Sequence, residues 1–117
     1  MSPAASGPGG RRSGFSEAVA EEMAATMFAL STPSRVQILG CLLGGPCSVG
    51  DLVEMLGMEQ SAVSHQLRVL REHRLVAAER AGRHRVYDLY DENVTALLRA
   101  GTRHIEERQR RAPARRS

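Results

Sequence analysis

Between Thr32 and His73 the apolar residues recur every third or fourth position in three short blocks, and each block is closed by residues that do not extend a helix. Thr32-Pro33 opens the first block, because threonine is a favoured N-cap and proline at the first helical position gives up no hydrogen bond. Val36, Leu39 and Leu43 form its expected inner face, and Gly44-Gly45-Pro46 ends it. Ser48, with Asp51 three residues on, resembles a capping box; the second block then turns Val49, Leu52 and Leu56 inward and stops at Gly57. The third runs from about Glu59 to His73 with Val63, Leu67 and Leu70 on one stripe. Helices this short do not persist alone, so they must pack on one another.

The flanks complete the pattern. Ser16-Glu17 opens an earlier helix with Val19, Met23, Met27 and Leu30 at helical spacing. After His73, two β-rich runs flank Ala81-Gly82-Arg83, which predicts a hairpin, and Asp91 starts a long last helix with Val94, Leu97, Leu98 and Ile105 on its apolar side. The expected order is α1-α2-α3-α4-β-hairpin-α5, mainly α. A short helix, a tight turn, a polar-faced helix and a basic hairpin form the layout of a winged helix-turn-helix. With 3% aromatics and no Trp, the core must come from aliphatic residues, and 117 residues hold one domain. Its expected span is 15–109, between a disordered arm (1–14) rich in Gly, Ser, Pro and Ala and a disordered basic tail (110–117). No 18-residue apolar run is present, the N-terminal segment has no apolar signal region, and two cysteines make no disulfide framework. A cytoplasmic protein with no membrane partner is therefore expected.

All 16 basic residues are arginine. From Gln60 to Arg85 there are six arginines against two acids, an excess of four within a chain whose whole net charge is +3. Gln60, Ser61, Ser64, His65 and Gln66 stand near the start of the third block, where a recognition helix meets base edges and short hydroxyls and amides serve best. Arg68 and Arg71 extend that face toward phosphates, while Arg83, His84 and Arg85 at the hairpin tip suit a phosphate or the minor groove. One such module binds weakly; a homodimer, paired through its first and last helices, would present two recognition helices roughly 34 Å apart to double-stranded operator DNA.

The run EQSAVSHQLRVLREHRLV followed by RAGRHRVYDLYDENV resembles the ArsR/SmtB family of winged-helix metalloregulators, and the similarity extends over roughly Ala18 to Arg108. The resemblance implies a dimeric repressor whose fourth helix reads DNA and which an inducer releases; Ser61, Ser64, His65, Gln66 and Arg68 match the recognition positions. In the family's nickel- or zinc-sensing branch, each of two metal sites joins an Asp-x-His pair from one last helix to a His-x-x-His or His-x-x-Glu pair from the other. The matching residues here are Asp91, Asn93, His104 and Glu107. Asp91 and His104, thirteen residues apart, lie about 20 Å apart along one helix, so they can meet only across an antiparallel pair. Asn93 departs from the pattern, since an amide oxygen is a poor ligand for such metals. The family's Cys-x-Cys sensing positions hold Ser48 and Gly50, which argues against thiolate sensing of arsenic or cadmium.

Cys41 reads as core, and Cys47, expected at a helix start, leaves a redox role open. His73 and His84 have no partner at ligand spacing. No phosphate loop, nucleophile motif or His-Glu-x-x-His helix is present, so catalysis is not expected. The expected function is a sequence-specific DNA-binding transcriptional regulator, a repressor responsive to Ni²⁺ or Zn²⁺. The alternative is the same fold under redox or partner-protein control, or acting as an activator.

Overall fold

Ser48 is the point at which extended chain becomes helix. Its hydroxyl accepts from the Asp51 N–H at 3.0 Å while its own N–H donates to the Asp51 carboxylate at 2.9 Å, so the predicted capping box is complete. The computed structural model describes residues 14–111. Its elements are α1 (Glu17–Ala29), α2 (Pro33–Leu43), β1 (Cys47–Ser48), α3 (Val49–Leu56), α4 (Gln60–Glu72), β2 (Val76–Ala81), β3 (His84–Leu89) and α5 (Glu92–Arg111). Ser16 caps α1 by accepting from Val19 N–H at 3.1 Å, and Asp91 caps α5 by accepting from Val94 N–H at 3.1 Å. Thr32 holds the N-cap position of α2 without a side-chain bond, and its Oγ1 is buried with no partner.

The turn between α3 and α4 depends on Gly57, which takes φ +66° at the α3 C-cap and closes the helix with its N–H on Val53 O at 2.9 Å. The end of α4 is built differently. Leu75 N–H reaches back to Leu70 O at 2.9 Å and Arg74 N–H to Arg71 O at 3.0 Å, a Schellman closure in which Arg74, at φ 57°, occupies the position glycine usually fills. This turn swings the chain directly from α4 into the hairpin.

The core is aliphatic and lies where α2, α3 and α4 meet the sheet: Ile38, Leu39, Leu42, Leu52, Val63, Leu67, Leu70 and Val76 are fully buried. On α4 the predicted stripe and the buried residues coincide. On α2 they do not. Its inner face is Arg35, Ile38, Leu39 and Leu42, while Val36 is 45% exposed and Leu43 half-buried. The buried set follows the i, i+3, i+4, i+7 spacing more closely than Val36, Leu39 and Leu43 do, but one member is an arginine, which a search for apolar residues passes over.

Three further expectations are corrected. The sheet has three strands in the order β1-β3-β2, because Cys47 and Ser48 pair with Tyr87 and Val86. Cys47, expected at a helix start, does directly precede the Ser48 N-cap, but it is buried and paired in a strand. Arg110 and Arg111, expected in the tail, are the last residues of α5. The remainder of the tail and residues 1–13 of the arm lie outside the described residues. Among the described residues no helix is long and apolar enough to cross a membrane.

Gly57→Ala places a Cβ in the left-handed region and should lower stability by about 1 kcal/mol, read as a reduced urea midpoint with unchanged slope.

Candidate nucleic-acid interface

Burial of Val63, Leu67 and Leu70 sets the orientation of α4, since the residues on the opposite side must then face solvent. Gln60, Ser61, His65, Arg68 and Arg71 are exposed and Ser64 is half-buried, so six expected site residues share one uncapped, accessible surface. No acid interrupts it before Glu72. No side chain caps the start of α4, whose first N–H groups remain available to an anion.

Gln66 departs from this group. It is half-buried, and its Oε1 accepts from Arg35 Nη1 at 3.0 Å. Its position three residues after Val63 and four before Leu70 already places it beside the apolar stripe, a signal that polarity alone conceals.

The hairpin has a two-residue connection, Gly82 and Arg83, with Gly82 at φ +64°. Arg83, His84 and Arg85 are all exposed at its end. Register adds a residue that the sequence reading did not select: Arg80 stands directly across the ladder from Arg85. Like charges in that position repel, so in the unbound protein the pair is a small liability, and an anion between the two guanidiniums would remove it. The connection length was the available signal, because a Gly82-Arg83 loop forces Arg80 and Arg85 into register.

The last helix is continuous, so Asp91 and Asn93 sit at its start and His104 and Glu107 three turns later. His104 and Glu107 are exposed and share a helix face, while Asp91 and Asn93 are exposed at the other end. Among the described residues, no group of three or more His, Cys, Asp or Glu able to hold a metal ion forms within one chain. Within one chain the Asp91–Asn93 and His104–Glu107 pairs stay at opposite ends of the helix.

Cys41 is half-buried and Cys47 buried, and both are free thiols. Burial pushes both thiols above their ordinary range; for Cys47 the neighbouring Asp51, Cys41 and Asp88 push in the same direction. Cys47 donates to Gly45 O at 3.5 Å. A protonated, buried thiol is the opposite of a reactive thiolate. His73 is half-buried with Nδ1 2.9 Å from Val69 O, which fits its place at the end of α4.

A second exposed surface is apolar. Val19, Met23 and Met27 follow one side of α1, with Phe15 and Phe28 beside it, and Leu97 and Ile105 lie on α5. Within one chain α1 is buried only at Ala29, while Val94 and Leu98 anchor α5 to the core. Large apolar side chains left exposed along both helices are more than a free surface usually carries.

Comparison with known proteins gives a consistent result. The model of the bacterial regulatory protein arsR family matches residues 32–78, from the N-cap of α2 into β2. The HTH-type transcriptional regulator NmtR of Mycobacterium tuberculosis is 56% identical over 87 residues, 74% of this chain and 72% of that protein. The solution structure of apo-NmtR matches with a TM-score of 0.71 and 46% identity over 95% of this chain and 93% of that one. The transcriptional repressor SmtB homolog of Synechocystis is 41% identical over 75% of this chain and 67% of that protein. The homodimeric winged helix-turn-helix DNA-binding domain Mb0332 of Mycobacterium bovis matches with a TM-score of 0.74 and 26% identity, covering 91% of this chain and all of that one.

Arg80→Glu converts the cross-strand repulsion into an attraction and should raise the stability of the free protein by a few tenths of a kcal/mol while weakening its binding to duplex DNA. Thermal melts and gel shifts on the same preparation would show the two effects with opposite signs; parallel losses would contradict the ladder placement.

Proposed function

This chain belongs to the ArsR family of bacterial regulatory proteins, and on that basis we propose that it is a homodimeric repressor that reads a two-fold symmetric operator with α4 and is released by nickel or zinc. The family's members are transcriptional regulators rather than enzymes, and DNA-binding regulation is the function of this chain. The observation that carries the proposal is the acid-poor outer side of α4 beside an arginine-lined hairpin, held by the inward packing of Val63, Leu67 and Leu70. Ser61, Ser64 and His65 stand where base edges would be met; Arg68, Arg71, Arg83 and Arg85 stand where phosphates would be. Gln60 begins the helix and His84 joins the wing contacts. The protein would act in the cytoplasm, where its operator is.

Dimerisation follows from the apolar sides of α1 and α5. Two such chains related by a dyad cover Met23, Met27, Leu97 and Ile105 and present two copies of α4. The homodimeric state of the Mb0332 domain supports this arrangement. A repressor sign is supported by the Synechocystis relative.

The metal response is read from the donor chemistry of α5. Asp91 uses one oxygen as the helix cap and leaves the other for coordination; His104 and Glu107 are exposed one turn apart. Antiparallel pairing of two α5 helices would bring Asp91 and Asn93 of one chain to His104 and Glu107 of the other. These residues fit a divalent nickel or zinc ion with three strong donors and one weak amide, completed by water, so affinity would be lower than with a histidine at position 93. When bound, such an ion supplies a cross-link between opposite ends of the paired helices. The chain's own part is to make that link possible in only one relative arrangement of the protomers. Coupling of about 1 to 3 kcal/mol is typical for such systems, and it acts equally on metal and DNA affinity.

Arg68→Ala should weaken binding to an operator duplex by at least about tenfold, since a charged contact is worth roughly 1.5 to 3 kcal/mol. A salt-controlled gel shift with unchanged affinity would rule out the proposed docking. Titration of Ni²⁺ or Zn²⁺ into a fluorescent operator complex should release the protein, and His104→Ala should abolish release while preserving binding of the metal-free protein. Indifference to both metals removes the switch and leaves the DNA assignment standing.

A further inference from the structure

Arg35 is a cation enclosed in the fold with no carboxylate to meet it among the described residues. It is 7% exposed, and its hydrogen bonds all end on neutral oxygens: Nε donates to Ala29 O at 2.6 Å, Nη2 to Phe28 O at 3.3 Å and Nη1 to Gln66 Oε1 at 3.0 Å. Removing a guanidinium from water without a counter-charge is costly, so the surroundings must replace the lost solvation. Two of its acceptors are the last carbonyls of α1, where the partial negative charge of the helix dipole collects. The third lies in the middle of α4. A planar fork of donors can reach three acceptors on two elements at once, whereas a lysine ammonium on a flexible stem cannot hold them in one plane.

The placement matters because α1 has little else to hold it. Every residue from Glu17 to Phe28 is exposed except the half-buried Thr26, and only Ala29 and Leu30, at the end, meet the core. The same arginine that fastens this helix to the body therefore also grips α4. We propose that Arg35 is a positioning residue for operator recognition: through Gln66 it sets the angle of α4 relative to α1, and hence relative to the α4 of the partner protomer. The inference rests on the DNA-reading, dimeric assignment above. Two half-sites must be met together, so a small rotation of each α4 costs specific affinity, while phosphate contacts to arbitrary duplex tolerate it. In this scheme Gln66 acts by holding Arg35 and does not read a base.

The test compares Kd for the operator duplex, located by footprinting upstream of the chain's own gene, with Kd for a scrambled duplex of equal length at one salt concentration. The proteins are the full-length chain and its Arg35→Lys, Gln66→Leu, Gln66→Glu and Arg35→Lys/Gln66→Leu variants. Arg35→Lys and Gln66→Leu should each lower the operator-to-scrambled ratio by about tenfold, and the double variant should fall no further than the weaker single, as expected for groups acting through one contact. Gln66→Glu keeps an acceptor for Arg35 and should stay within about threefold of the unsubstituted chain. Additive losses, an unchanged ratio in Gln66→Leu, or a larger loss in Gln66→Glu than in Gln66→Leu would overturn the proposal, the last two even where Arg35→Lys fails to fold. Failure of the unsubstituted chain to bind either duplex would instead overturn the DNA assignment beneath it.

Discussion

The inward packing of Val63, Leu67 and Leu70 against Ile38, Leu39 and Leu52 is the constraint from which the rest of the molecule follows. Once three residues of a helix are committed to a core, the side that meets solvent is settled, and here that side carries Ser61, His65, Arg68 and Arg71. Each buried aliphatic side chain contributes on the order of 1.5 to 3 kcal/mol, far more than any surface charge could contribute in deciding the orientation. The polar face is thus presented by packing, and its charge is free to suit a partner.

Much of this was legible in the sequence, for a physical reason. Capping and stop signals act locally, so Ser48 with Asp51, Gly57 and Asp91 gave helix limits that hold to within a residue or so. The α4 stripe was legible because the helix buries apolar residues alone. What was hidden depends on long-range contacts. The pairing of Cys47 with Tyr87 joins residues 40 positions apart, and no local signal marks a two-residue strand. Arg35 was passed over and Gln66 was set on the outer face for the same reason: each is polar, each turns inward, and each satisfies the other across 31 positions.

The candidate site divides along the same line. The proposed DNA face lies on one helix and one hairpin, so its members could be chosen from periodicity, with Gln66 as the exception and Arg80 as the omission. The proposed donors on α5 are different in kind, because among the described residues they form no cluster within one chain. Spacing alone indicates that Asp91 and His104 need a second helix, and the family membership of the chain gives the reason to look for one.

Because α1 leans on its own body only through its final turn, most of its length is a formed helix whose sides stay open to solvent in the single chain. In the proposed dimer, a partner covering that helix would fix its placement as firmly as the chain's own body does.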